Sequence, residues 1–192
     1  MMTEKTEKGD PEVRQRIMEA AARLFHSRGY NATGMNELIT EADVAKRTFY
    51  KHFASKTAVL KAYLEAFDDL FFQKAAVEID SLTDPKQRIP ALFALRAEIQ
   101  KVNQFLGCPF VKINAEIGFD DREVNAMVQE SKTRLKNYIR QLVTAANDRQ
   151  QLNNGELTDL IFLLLDGALV SGSIYKSSAD LENAKSLVFK FL

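Results

Sequence analysis

The chain has 192 residues, 46% of them apolar, which is enough to bury a core in one large or two small domains and excludes disorder for most of its length. Lysine plus arginine and aspartate plus glutamate number 26 each, so no global field advertises an acidic partner and any nucleic-acid surface must be local. One cysteine, Cys108, rules out an internal disulfide framework, and with only two histidines it leaves little for a zinc site, so neither metal nor cofactor is expected.

Residues 1–9 carry charge without an apolar stretch and read as a flexible tail. No uninterrupted apolar run reaches the roughly 18 residues of a membrane span, which predicts a cytoplasmic chain with no membrane partner. Apolar residues recur at helical spacing, so the predicted fold is all α. The first helix should open with Asp10 as N-cap and Pro11 at the first helical position, bury Val13, Ile17, Ala20, Ala21, Leu24 and Phe25, and end at a left-handed Gly29. His26, near that end, suits the negative pole of the helix dipole as a partial positive charge.

Thr33 is expected to cap a short second helix that buries Leu38, Ile39 and Ala42. After a turn at Asp43 and Val44, a third helix runs from about Ala45 to Phe53. The two short helices form a helix-turn-helix, whose second member is narrow enough to enter a DNA major groove. On that member Val44, Phe49 and Phe53 share one side, while Lys46, Arg47, Tyr50 and Lys51 lie away from it. Between Val44 and Leu64 there are five lysines or arginines and no carboxylate. Such a run is a solvated face on its own, but beside a helix-turn-helix it points to phosphates and base edges.

Ser55 should cap a long helix to about Ile79 with the stripe Leu60, Tyr63, Leu64, Phe67, Leu70, Phe71 and Ala75. A helix carrying Ile89, Leu92, Phe93, Leu95, Ile99 and Val102 follows to about Phe105, then a short helix opening at Cys108 and Pro109, then a long one from about Asp121 to Asn147. The last two are expected over Glu156 to Lys176 and Ala179 to Leu192. Within the first of these, IFLLLDGALVSGSIY is apolar on nearly all sides and needs covering from two directions. Gly167, Ala168, Ser171 and Gly172 permit close helix approach, and Leu187 and Phe191 extend the face, so a dimer built from two copies of this helix pair would bury it.

A pocket could be surrounded by Phe67, Phe71, Phe93, Phe105, Phe110, Tyr138 and Phe162. Asp166 among leucines requires a partner and reads either as a dimer-interface contact or as a ligand contact. Cys108 sits where helix N–H groups and a nearby Lys112 would favour a thiolate, so redox sensing is one reading and an inert buried thiol the other.

Residues 29 to 60, GYNATGMNELITEADVAKRTFYKHFASKTAVL, resemble the DNA-binding domain of TetR-family transcriptional regulators through Gly29-Tyr30, Ala32-Thr33, Val44, Thr48, Tyr50, His52, Phe53, Ser55 and Lys56. The resemblance implies that Thr33, Lys46, Arg47, Thr48, Tyr50, Lys51, His52 and Lys56 face DNA. Thr48, Tyr50 and Lys56 would anchor phosphates, with Lys46, Arg47 and His52 nearer the bases. Where the family usually has glycine and serine, this chain has Asp43 and Ala45, and Arg47 stands where glycine is common. Aspartate tolerates the left-handed turn, whereas the lost serine cap costs on the order of 1 kcal/mol. The Gly107-Cys108 step with the downstream Asn114-Ala115-Glu116 is similar to a branch of the family that senses oxidants or electrophiles.

The expected organisation is a tail over 1–9, a helix-turn-helix domain over 10–54 and a helical ligand-binding and dimerisation domain over 55–192. The expected function is a homodimeric repressor released from a palindromic double-stranded operator by a small-molecule effector. The alternatives are a sensor acting through Cys108 and a helical adaptor that binds no specific DNA. No glycine-rich phosphate loop or catalytic constellation points to an enzyme.

Overall fold

The computed structural model describes residues 10–118, 121–146 and 152–192. The expected tail at 1–9 and the helix end at Asn147 lie outside the described residues. Nine α-helices and no strand occur among those described.

Helix α1 (Pro11–Ser27) begins as its sequence requires, with Asp10 accepting a bond from the Glu12 N–H at 3.0 Å and Pro11 in the first turn. Gly29 follows it at φ +93°, which favours glycine, and a Cβ there would also lie 2.6 Å from the Glu116 carboxylate and oblige that side chain to shift. Helix α2 (Met35–Glu41) starts at Gly34 rather than at Thr33. Thr33 is 0% exposed, and its hydroxyl donates to the Gly29 carbonyl at 2.7 Å, binding the turn and not the helix end. Asp43 takes φ +51°, and Arg16 donates to its carbonyl at 3.2 Å, which holds the turn into α3 (Lys46–His52). Ala45 precedes α3 with no side-chain cap, as its side chain dictates.

Helix α4 (Lys56–Glu78) is capped by Ser55, whose Oγ accepts from the Ala58 N–H at 3.0 Å. Its first half carries Val59, Leu60, Tyr63 and Leu64 into a core shared with α1, α2 and α3; its second half carries Phe71 and Ala75 into a different core. One rigid helix thus runs through both. The first core does not stop at residue 54, because Phe110, Ile113, Val124 and Val128 also belong to it.

Helix α5 (Pro85–Val102) ends with the last residue of its apolar stripe, short of the expected end near Phe105. Gln104 and Phe105 both adopt positive φ, a conformation that cannot continue a right-handed helix. Helix α6 (Pro109–Ile117) opens at Cys108, whose side chain makes no cap bond. Helix α7 (Arg122–Ala146) is capped by Asp121 through the N–H groups of Glu123 and Val124. Helix α8 (Asn154–Tyr175) starts before the expected Glu156 because Asn153 and Glu156 cap each other's backbone N–H groups at 3.0 and 2.9 Å. Helix α9 (Ala179–Val188) tightens into a 3-10 turn, Phe189–Phe191, instead of remaining α-helical to Leu192.

By length and mean hydropathy (1.7) α8 could cross a membrane, and it is the only such helix among the described residues. It instead packs against α5, α7 and α9 and places Leu157, Ile161, Leu165 and Leu169 in the second core. Its remaining face is open: Leu163 and Ile174 are each 67% exposed, with Gly167 and Val170 between them at helical spacing, and Leu187 is exposed on α9.

Candidate nucleic-acid interface and regulatory pocket

The geometry of α3 follows from its alternation of ring and cation. Phe49 (fully buried) and Phe53 fix the inner side against the first core. Lys46, Arg47, Tyr50 and Lys51 are exposed on the other side, with Thr48 and His52 half-buried at its edges. None of these cations forms an ion pair with a described residue, whereas Arg23 and Arg28 next door are matched with Glu41 and Glu37. An unneutralised basic face of this kind attracts a polyanion and can supply bidentate donors to base edges.

Two expected DNA-facing residues lie elsewhere. Thr33 is buried as described. Lys56 is half-buried, with its ammonium donating to the Tyr30 and Thr33 carbonyls, both at 2.9 Å, and lying 4.2 Å from the Tyr30 ring centroid. Burial lowers its pKa and Glu116 opposes that shift. Its charge therefore secures the loop before α2, a role that a sequence alone does not distinguish from a phosphate contact.

Helix α6 bridges this unit to the rest. Glu116 accepts from the Asn31 N–H at 2.7 Å, and Lys112 donates to the His26 carbonyl at 2.5 Å. His26, expected to favour the helix dipole as a partial positive charge, is buried. Its Nε2 pairs with the Gly107 carbonyl at 3.1 Å, and burial lowers its pKa, with Gly107 opposing the shift and Lys112 adding to it.

The residues expected around one pocket divide among several places. Phe67 and Phe71 line an apolar groove of about 380 Å³ between α1, α4 and α5. Together with Cys108, Phe110 and Asp166 they also border a cavity of about 10 Å³ deeper in the molecule. Phe93 is plain core, Phe105 lies in the turn after α5, the Tyr138 hydroxyl donates to Asp80 at 2.9 Å, and Phe162 lies beneath Lys132 and Lys136. Burial raises the Tyr138 pKa, with Asp80 adding to the shift. Asp166 finds its partner in Lys132, whose ammonium lies 2.7 Å from both carboxylate oxygens. Of the expected dimer contacts, Ala168 and Gly172 face inward, Gly172 so closely that a Cβ would meet the Ser177 carbonyl at 2.8 Å, and Phe191 packs on the chain's own core. Ser171 bonds Asp180, while Gly167 and Leu187 remain outside. Sequence reasoning passed over Arg96, a buried cation on the same small cavity, although its place four residues after Leu92 and three before Ile99 sets it on the apolar stripe of α5.

The sequence pattern described as "Bacterial regulatory proteins, tetR family" matches residues 17–63. The regulator FasR of Mycolicibacterium smegmatis, described as a transcriptional activator, is 35% identical over 80 residues, 42% of this chain and 36% of its own length. The repressor KstR2 of Mycobacterium tuberculosis is 32% identical over 80 residues, 42% of this chain and 40% of its own. These matches therefore span about two fifths of the relatives they touch. The repressor DhaR of a Mycobacterium species aligns over 94% of this chain and 92% of its own at 24% identity. Among solved structures, reduced NemR of E. coli superposes with a TM-score of 0.77 at 25% identity, covering 93% of this chain and 96% of that one. A TetR-family regulator from Streptomyces coelicolor reaches 0.83 at 21% identity, covering 94% and 96%, a likeness of fold. Residues 17–63 thus carry the N-terminal pattern of the tetR family of bacterial regulatory proteins, and the rest of the chain resembles that family's solved structures in fold.

Proposed function

We propose that the protein is a cytoplasmic, homodimeric DNA-binding transcriptional repressor that leaves a palindromic operator when a small-molecule effector binds its C-terminal domain. The observation that carries this reading is the outward face of α3, where Lys46, Arg47, Tyr50 and Lys51 stand exposed and unpaired on a helix pinned from behind by Phe49. The open apolar face of α8 supports dimerisation, since the described residues leave Leu163, Val170 and Ile174 exposed. Two recognition helices about 34 Å apart would then read half-sites one DNA turn apart. The tie between α3 and α4, only Phe53, Ala54 and Ser55 long, supplies the mechanical link, because tilting α4 must carry α3 with it. An effector achieves release by favouring one tilt over the other, which needs differential affinity of about 5 kcal/mol for a nearly complete switch.

The test is selection of duplexes from a random pool followed by anisotropy titration. A two-fold-symmetric sequence should emerge, and Arg47→Ala should change its base preference at defined positions. Equal weakening on every duplex would remove Arg47 from base reading, and failure to bind random DNA even at low salt would favour the adaptor reading. A second reading, sensing through Cys108, is favoured by one observation: the thiol is half-buried and borders the cavity that also touches Arg96 and Asp166. Alkylation of the native protein checks it, since a thiol that reacts only after denaturation cannot serve as a sensor.

A further inference from the structure

Arg96 is 8% exposed, yet its Nε has no acceptor among the described residues. None of its guanidinium nitrogens forms a hydrogen bond or ion pair with a described residue; its recorded contact is with the Phe71 ring, whose centroid lies 3.6 Å from Cζ. The carboxylates nearby are already engaged. Asp166 takes Lys132, and Asp68 takes the Ser131 hydroxyl at 2.7 Å and Arg134 at 2.9 Å. A guanidinium keeps its charge in proteins, so this one holds a buried Nε donor without an acceptor among the described residues, a desolvation cost that the Phe71 ring offsets in part and that an anion would offset most fully.

Its surroundings say what kind of anion. The cavity it borders, about 10 Å³, holds no more than about one water-sized group, so a larger headgroup reaches Arg96 only if the cavity wall moves. Asp68 and Asp166 line that same cavity, each already paired with a cation, and what charge they leave opposes a dianion more strongly than a monoanion. A carboxylate matches the guanidinium fork with two parallel bonds. Phe67 and Phe71 line this cavity and the larger groove alike, so these rings form the wall between them. On the far side the groove offers Met18, Ala22, Leu70, Ile99 and Val102, an apolar bed within the size range of small-ligand sites.

We propose that the site takes an amphipathic monocarboxylate, with its carboxylate on Arg96 and its hydrocarbon body along the groove between α1, α4 and α5. The identification of this compound as the effector rests on the regulator reading above; its binding does not. Occupation of both spaces at once requires the Phe67 side chain, half-buried and lining both, to turn aside. Because α1 forms one wall of the groove and belongs to the core that supports α3, an occupant there bears directly on the placement of the recognition helix.

The test is equilibrium dialysis of the full chain with hexanoate, octanoate, decanoate and benzoate, each beside the alcohol of the same skeleton. At least one acid should bind saturably, about tenfold or more tighter than its alcohol, and Arg96→Met should lose that preference while Arg96→Lys keeps part of it. The inference is overturned if no acid saturates, if alcohols bind equally well, or if Arg96→Met binds acids as the unaltered chain does. Should Arg96→Met fail to fold by circular dichroism, the acid-to-alcohol ratio of the unaltered chain decides alone. Titration of the selected duplex in parallel separates the two ideas: intact DNA binding without acid binding sinks this one only, and acid binding without DNA binding sinks the regulator reading.

Discussion

The outer face of α3 and the floor of the small cavity both hold cations without carboxylate partners, but water treats them differently. Lys46, Arg47 and Lys51 are solvated and cost the fold nothing, so their isolation needs no stabilising contact and remains available to a polyanion. Arg96 is out of water, and burial lowers its pKa, opposed first by Cys108 and then by Asp166 and Asp68. The same chemical group thus signals binding on the surface only when several share a face, whereas in the interior a single unmatched one is enough.

The comparison can be broken at several points. The outer cations hold their positions because Phe49 anchors the helix beneath them, so Phe49→Ala should destabilise the first core by about 3–5 kcal/mol in urea unfolding and abolish duplex binding with it. A loss under about 1 kcal/mol would mean that α3 is held otherwise. Reversing the surface charges with Lys46→Glu and Arg47→Glu together should weaken DNA binding about 100-fold at moderate salt while leaving thermal unfolding unchanged. Unaltered affinity would detach DNA from this face.

In the interior, Asp166→Asn should destabilise by about 1–2 kcal/mol, because it leaves Lys132 without its partner beside an already unmatched Arg96, an effect softened by residual exposure of the pair. A rise in Tm would show that the pair opposes folding. The smallest effect concerns His26. Its folded pKa lies below the ordinary 6.5, so the unfolded chain takes up protons first; stability is fully present above that value and declines as pH falls below it toward the folded pKa. His26→Asn should therefore flatten the fall in stability between pH 7 and 5, measured as the difference in Tm against pH for the two proteins.

Much of the architecture was legible because it is local. Gly29, Asp43, Ser55 and the Asp10-Pro11 pair each answer to backbone needs within a few residues, and the apolar stripes of α1 and α4 declare their buried sides. What escaped depends on residues distant in sequence. Thr33 and Lys56 have side chains suited to DNA, but Gly29, Tyr30 and the close approach of α4 draw them inward. The single pocket inferred from scattered aromatics became a groove and a separate cavity, because ring identity does not say which helices pack. Arg96 carried a visible signal, a cation on an apolar stripe, but snorkelling would have explained it equally well until the packing closed over it.

The most direct measurement is the salt dependence of binding to the selected symmetric duplex and to a scrambled duplex of the same length. The account predicts a steep fall of log affinity with log salt for both, with the symmetric duplex preferred about 100-fold or more throughout. A flat salt response, or equal affinity for the two duplexes, would contradict the claim that the exposed face of α3 reads DNA.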